Sequence, residues 1–380
     1  MNSNERAILD ILAKHPLASQ NDIADALGIT RSSVSVYISH LIQEGYILGR
    51  GYLLNKKERI YVIGSAIVDY YTVFPVDAFQ EDGTMILDDV EFSVSYGGYA
   101  KNLTENLLKL DDNAACIFAI GDDTNGRELL EECRTYGMDV DDILVVPGQK
   151  TSSYLEIRSP ERNKILVSAV DGKLLRYMTP KFLAEKQHKL KNAQIVAVED
   201  GIPEESLRYL SASFSNIVMV ATKLRRAQRY APFLNQFNGM VVSLQIACSL
   251  LGMEYDEDMQ DDDVFAVTKA LRQRISGPVL ICYGKNGFCY CADERLMLSH
   301  YTSKSHNSGL YSHYRDCVAA GFIHCLAKGI YEEKLLSFVS ACREVSSSMD
   351  IPNRGQTFCA ELVETTMSNN DLMFTSRLLD

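Results

Sequence analysis

The sequence has no tryptophan, only nine prolines in 380 residues, and no C-x-x-C pair. No apolar run approaches the roughly 18 residues that a membrane-spanning helix needs. The first residues, MNSNERAILD, are polar and charged and contain no signal-peptide core. The ten cysteines are scattered. The nearest two, Cys289 and Cys291, form a C-x-C on a strand-like run, and no Cys/His spacing fits zinc. These absences point to a cytoplasmic protein with buried free thiols, with no metal ligand set and no membrane partner. A net charge of −12 excludes a protein that coats nucleic acid along its whole surface.

The charge is unevenly placed. Residues 1–57 hold six basic and five acidic residues, whereas the remainder holds 32 and 45. That shift marks a boundary near residue 57 and leaves the N-terminal piece as the one suited to DNA. Three helices are expected there. The first runs from about Asn4 to Lys14, with Ile8, Leu9, Ile11 and Leu12 apolar, and stops before Pro16. Ser19 with Asp22 makes a capping box for the second, which turns at Gly28. Thr30 caps the third, whose buried stripe is Val34, Ile38, Leu41 and Ile42, and Gly45 ends it. YILGRGYLL, residues 46–54, reads as a hairpin. NDIADALGITRSSVSVYISHLIQEGYI resembles the reader segment of bacterial winged-helix regulators. Arg31, Ser32, Ser35 and Ser39 would face a major groove, and Arg50 at the wing tip would meet phosphate or minor groove. The competing reading of this piece is a small helical domain that binds protein or acts as a tether.

From Arg59 onward, strand-like runs alternate with helical ones, which predicts an α/β, doubly wound sheet. Residues 84–96 and 151–170 break the pattern, alternating apolar and polar like exposed strands, and are expected to pair as a small β lid. The boundaries expected are 1–57, 58–365 and a C-terminal tail at 366–380. In residues 308–329, SGLYSHYRDCVAAGFIHCLAKG, a loop runs into a helix with Ala319, Ala320, Phe322, Ile323 and Leu326 apolar and Gly329 at its stop. His313, Tyr314 and Arg315 crowd the first turn beside Asp316. A helix start with a lone carboxylate suits an anion and a base, yet such sites usually use glycine.

VIGSAIVD, GGYAKN, IGDDTNGRELLEECRTYGMDV, TSSYLEI, YGKNGF and RDCVAAGFIHCLAKG together resemble the PfkB (ribokinase-like) family of sugar and nucleoside kinases, from about Tyr61 to at least Pro352. The resemblance implies a ribokinase-like fold with a lid and a fusion to a winged helix-turn-helix domain. It also implies that Asp69, on the loop after the first strand, grips substrate hydroxyls and that Gly97, Gly98 and Asn102 hold the sugar. A carboxylate and an amide suit a polyol, since together they accept from and donate to adjacent hydroxyls. On the residues alone, the competing readings are a turn or cap carboxylate for Asp69 and a tight turn for Gly97-Gly98, against which Asn102 one helical turn later favours a site. Asp316 matches the family's catalytic base.

The sequence departs from the family where phosphate and metal are handled. His313-Tyr314-Arg315-Asp316 stands for Gly-Ala-Gly-Asp. SLQI stands for Asn-x-x-Glu, with Ser243 and Ile246 at the magnesium-organising positions, and isoleucine offers no oxygen. Leu310 falls on a cation-associated aspartate and Gly201 on an asparagine. Arg315 either binds an anion through its side chain, in place of glycine N–H groups, or sits with His313 as a solvated residue on a drifted loop. The expected function is a DNA-binding transcription regulator with a degenerate phosphotransfer site. It would sense a sugar, nucleoside or phosphorylated metabolite and work as a homodimer through the 84–96 and 151–170 strands. The alternative is an active ATP-dependent sugar or nucleoside (pseudouridine-type) kinase, for which ATP and Mg would be the cofactors.

Overall fold

The computed structural model describes residues 3–15, 17–47, 59–73, 90–159, 164–283, 287–292, 295–301, 314–347, 358–369 and 372–378. Arg50, Leu310 and His313 lie outside them, as do most of the expected hairpin and residues 84–89 of the expected lid. In chain order the elements begin with α1 (Ser3–Lys14), α2 (Gln20–Leu27), α3 (Arg31–Gln43), β1 (Arg59–Ile63), β2 (Ile67–Val73), β3 (Ser93–Gly97), α4 (Tyr99–Lys109), β4 (Asn113–Ile117), β5 (Ala119–Gly121) and α5 (Thr124–Thr135). There follow β6 (Leu144–Val146), β7 (Ser153–Ser159), β8 (Lys164–Asp171), α6 (Pro180–Glu185), α7 (Gln187–Lys191), β9 (Ile195–Glu199), α8 (Glu204–Ser213), β10 (Ile217–Val220), α9 (Ala227–Tyr230), β11 (Gly239–Ser243) and α10 (Leu244–Leu251). The last are α11 (Asp261–Arg272), β12 (Val279–Tyr283), β13 (Gly287–Cys291), β14 (Arg295–Tyr301), α12 (Tyr314–Lys328), α13 (Glu332–Ser347), α14 (Ala360–Asn369) and β15 (Leu372–Leu378).

The chain divides into two compact units, the smaller made of Met1–Arg59 with Glu185–Gln194. Its helices start and stop where local chemistry dictates. Ser19 and Asp22 exchange hydrogen bonds with each other's backbone N–H, closing the capping box of α2. Gly28 takes the left-handed conformation that ends it, at φ 62°. The Thr30 hydroxyl accepts from the Ser33 N–H at the start of α3. Ile8, Leu12, Ile23, Val34, Ile38, Leu41 and Ile47 close the core. Ile42, expected in that stripe, is instead exposed, because the apolar side of α3 follows 34, 38 and 41 and rotates past it. Helix α7 belongs to this unit: Lys191 pairs with Glu44 at 2.5 Å, and Asn192 Nδ2 donates to the Glu44 carbonyl. No sequence pattern announces that contact.

The larger unit is built on a nine-stranded sheet in the order β15-β14-β13-β12-β11-β10-β9-β1-β4. Strands β1, β9, β10, β11 and β12 run parallel, and β13, β14 and β15 continue antiparallel. Residues 372–378, expected in a tail, form the outermost strand, where Arg377 pairs with Asp262. Parallel central strands buried on both faces read as near-continuous apolar runs, and β9 and β10 are buried at every residue. Helices α4, α12 and α13 supply one core with Leu103, Leu107, Val318, Phe322, Leu336 and Val339. Helices α8, α10 and α11 bury Leu207, Leu210, Leu250, Val264 and Phe265.

A second sheet of four strands runs β3-β2-β7-β8. It contains the segments expected to form the lid, but β3 and β7 do not pair with each other. Strand β2 lies between them, antiparallel to β3 and parallel to β7. Asp69 is therefore inside a strand, opposite Ser95 and Tyr154, and not on a loop after β1. Val94, Ile165, Val167 and Val170 remain exposed on this sheet. Two hydrogen bonds tie it to α5: Asn125 Nδ2 donates to the Tyr70 hydroxyl at 3.0 Å, and the Tyr96 hydroxyl donates to Glu128 at 2.6 Å.

Helix α12 is buried on almost every side, since Asp316 to Ile323 and Cys325 are all buried, whereas the sequence suggested a single apolar face. Phe322 is completely buried in the core to which α4, α12 and α13 contribute. Phe322→Ala should therefore cost about 3–5 kcal/mol through a cavity that tight helix packing prevents from closing. Urea unfolding followed by far-UV circular dichroism should show the loss as a lower midpoint for the larger unit.

Candidate functional site

The chemistry-bearing side chains gather at the carboxyl ends of the parallel strands, where open α/β sheets leave a crevice. Strand β1 delivers Gly64 and Ser65, β9 delivers Glu199, Asp200 and Gly201, β10 is followed by Thr222 and Lys223, and β11 ends at Ser243. Helices α4 and α12 point their N-terminal ends into the same region, bringing Tyr99, Asn102, Arg315 and Asp316.

Glu199 holds the first turn together. Its buried carboxylate accepts from the Ser65 N–H at 2.8 Å and the Ser65 hydroxyl at 2.7 Å. The Ser65 hydroxyl accepts in turn from the Tyr99 N–H, and the Ser65 carbonyl from the Ala100 N–H. Burial is the main influence on Glu199 and raises its pKa, against the opposing pull of Ser65 and Arg226. The start of α4 is thereby fixed. Gly98 has φ 97°, and a Cβ there would come within 2.5 Å of Ala66 Cα, so the turn requires glycine. A Cβ on Gly97 would run into the Asp69 carboxylate.

This turn brings Gly97, Asp69 and Asn102 together. Asn102 Nδ2 donates to Asp316 Oδ2 at 2.9 Å, joining two residues 214 positions apart. The Asp69 carboxyl is pushed up to about 7, first by burial and then by the charge of Asp316, with Lys101 opposing and Glu156 adding. Near neutral pH the Asp69 carboxyl is therefore partly protonated. Lys101 is committed elsewhere, to Glu105 at 2.8 Å and Glu132 at 2.7 Å. The phenol of Tyr99 is raised well above its ordinary value by burial, then by the charges of Asp316 and Glu199, with Arg315 opposing. Sequence reasoning missed Tyr99, Glu199, Asp200, Tyr154 and Glu156. Of these, only the Glu199-Asp200 pair closing an apolar strand was visible beforehand. Glu156 is buried, accepts from the Tyr154 hydroxyl at 2.6 Å and pairs with Arg158.

The remaining expected positions divide. Arg315 is exposed beside Asp316, and only the backbone of Tyr314 is described. The Ser243 hydroxyl caps α10 by accepting from the Ile246 N–H at 3.3 Å. Ile246 is buried at 3% exposure. Gly201 lies against Glu199 and Arg226. The GDDTNG motif does structural work, since Asp123 caps α5 and accepts from the Thr151 N–H and hydroxyl. In the smaller unit, Arg31 and Ser32 are exposed at the start of α3, Ser35 is half-buried, and the Ser39 hydroxyl donates to the Ser35 carbonyl. Val36, also exposed on α3, was not expected there. Among the described residues, no cluster of three His, Cys, Asp or Glu is disposed to hold a metal ion, and no helix is long and apolar enough to cross a membrane.

Residues 57–301 match the pfkB family of carbohydrate kinases, and residues 1–47 match a winged helix-turn-helix DNA-binding family. The uncharacterised sugar kinase YeiI of Escherichia coli K12 is 29% identical over 358 residues, covering 91% of this chain and 94% of its own. The pseudouridine kinase of the same organism is 22% identical, covering 82% and 97%. Among solved structures, a sugar kinase of Clostridium perfringens superposes with a TM-score of 0.72 at 17% identity, over 85% of this chain and 100% of its own. Arabidopsis thaliana ribokinase, complexed with ribose and ATP, gives 0.68 at 15%, over 82% and 99%. With the parallel sheet, its strand-end crevice and the four-stranded sheet described, the chain belongs to the pfkB carbohydrate kinase family and carries a winged helix-turn-helix domain at its N-terminus.

Proposed function

We propose that this chain is a DNA-binding transcription regulator whose kinase-fold domain senses a sugar, a nucleoside or a related phosphorylated metabolite and transfers phosphate poorly or not at all. The observation that carries this reading is a contrast within one site. Asp69, Asn102 and Asp316 are assembled as a linked acceptor and donor set suited to a polyol. Around them, the groups that would handle a moving phosphate are replaced or already committed. Magnesium does not fit positions 243 and 246. The Ser243 hydroxyl is taken by a helix cap, and Ile246 is a core residue without an oxygen. Tyr314 and Arg315 add bulk where the family places alanine and glycine.

The DNA-binding half of the reading rests on the winged helix-turn-helix match and on the exposed start of α3. In this reading Arg31 reads a base edge, Ser32 and Ser35 contact the groove, and Arg50 meets phosphate. Two winged helices on one duplex require a homodimer, for which the exposed apolar residues of the four-stranded sheet are the contact. Closure over ligand would alter the spacing of the two reading helices. A second reading, an active ATP-dependent sugar or nucleoside kinase, is favoured by one observation. Asp316 is held at the start of α12 by Asn102, where a general base would stand.

The regulator reading is tested by fluorescence anisotropy of the full chain on promoter fragments, with and without nucleosides and sugars. Operator binding that changes with ligand is expected, and no binding to any promoter DNA at low salt would remove the reading. Arg31→Ala should weaken specific binding by about 1–3 kcal/mol. Arg50→Ala should weaken binding on all sequences and flatten its salt dependence. Light scattering should give about twice the 42.5 kDa chain mass.

Protonation supplies a further check. The folded pKa of Asp69, about 7, lies above that of an unfolded aspartate. Its contribution therefore favours folding at low pH and is lost as pH rises through 7. Ligand hydroxyls donate to the ionised form, so affinity for the polyol should rise between pH 6 and 8. Titrations with ribose and uridine should show this rise in the wild type, and Asp69→Asn should abolish it.

A further inference from the structure

Three cations converge where the strand ends meet α12, and their surroundings do not account for all of them. Arg226 is anchored, with its Nη1 3.3 Å from Glu199 and 3.2 Å from Asp200. Its place is made by Gly201, where a Cβ would come within 2.7 Å of Arg226 Nη1 and 2.9 Å of Glu199 Oε1. Three described carboxylates at this end of the sheet already have donors. Asp200 accepts from the N–H groups of Thr222 and Lys223 and from the Thr222 hydroxyl. Glu199 serves Ser65, and Asp316 accepts from Asn102. Lys223 and Arg315 remain accessible to solvent, and among the described residues no carboxylate forms an ion pair with either side chain.

The Lys223 ammonium is held below its ordinary value by the protein atoms crowding it, then by the charges of Arg226, Arg315 and Arg225, against a weaker pull from Glu199. Like charges near enough to act on one another raise the energy of the unliganded protein, and an anion bound beside them removes that cost. A dianion with several oxygens suits a lysine and an arginine together, because the guanidinium offers paired donors and the ammonium a mobile one.

We propose that Lys223 and Arg315 form a phosphomonoester site, with Arg226 as the positioning residue behind them, so that the ligand is a sugar or nucleoside monophosphate bound without a metal ion. This rests on the reading of Asp69, Asn102 and Asp316 as the hydroxyl-holding half of the same site. The phosphate would lie at the entry of α12, and the sugar would reach back toward Asn102. Side-chain cations would take over the charge neutralisation that Ser243 and Ile246 leave undone. The protein would then respond to the product of a phosphorylating step carried out elsewhere rather than to its substrate.

The test uses the full chain in a buffer containing EDTA. Ribose, fructose, uridine, ribose 5-phosphate, fructose 6-phosphate, uridine 5′-monophosphate and inorganic phosphate are titrated by calorimetry. At least one monophosphate should bind about tenfold or more tightly than its unphosphorylated parent. Arg315→Gln and Lys223→Gln should each weaken it about tenfold, the scale of losing one charged hydrogen bond, and leave the parent's affinity unchanged. Asp69→Asn should weaken both. Parents that bind as well as their monophosphates, binding that needs added magnesium, binding of inorganic phosphate alone, or indifference to both cation variants would overturn the proposal while leaving the hydroxyl site standing. If Asp69→Asn also has no effect, or nothing in the panel binds, the hydroxyl-site reading falls with it.

Discussion

A single buried carboxylate organises the larger unit. Glu199 ends β9 and accepts two hydrogen bonds from Ser65, which follows β1, so the ends of two neighbouring parallel strands are locked together. Ser65 then receives the first N–H groups of α4. That fixes the left-handed turn at Gly98 and the direction in which Asn102 leaves the helix. Asn102 reaches Asp316 across 214 residues of chain, and Asp316 sits beside Asp69 in a shared electrostatic environment. A buried carboxylate keeps such a position only if donors satisfy it, and Glu199 has Ser65 on one oxygen and Arg226 near the other.

The same network separates the site into halves of different character. On the side of the four-stranded sheet stands Asp69, whose carboxyl favours a proton near neutral pH, with Asn102 hydrogen-bonded to Asp316 close by. On the side of β10 stand cations whose counter-charges are partly engaged elsewhere. A kinase must gather phosphate and metal on the second side and an acceptor hydroxyl on the first. Here Asp69, Asn102 and Asp316 stand on the first side, whereas on the second Ser243 is a cap and Ile246 is core.

Local chemistry was the most legible part of the sequence. The capping box at Ser19 and Asp22, the Gly28 turn and the Thr30 cap are written in contiguous residues and appear as expected. So is the βα alternation, because parallel strands buried on both faces leave unbroken apolar runs. What could not be read depends on long-range partners. Strand β2 was hidden because its polar Asp69 and Tyr70 look like a loop until β3 and β7 are seen on either side. Ile42 was placed in the core by spacing alone, though α3 turns it outward. Strand β15 gains its role only from β14, and Arg226 only from the space that Gly201 leaves. The resemblance at SLQI showed which residue types stand at 243 and 246, but not that the serine hydroxyl caps its own helix.

The central claim is that a pfkB fold has kept its hydroxyl-holding half and set aside phosphoryl transfer. It is tested most directly by ATP turnover of the wild type beside Asp316→Ala, with sugars and nucleosides at saturation and magnesium present. The account predicts turnover far below the roughly 1 s⁻¹ at the low end for kinases, and little difference between the two proteins. Wild-type turnover at or above that rate, collapsing in Asp316→Ala, would contradict it and make the chain a working kinase.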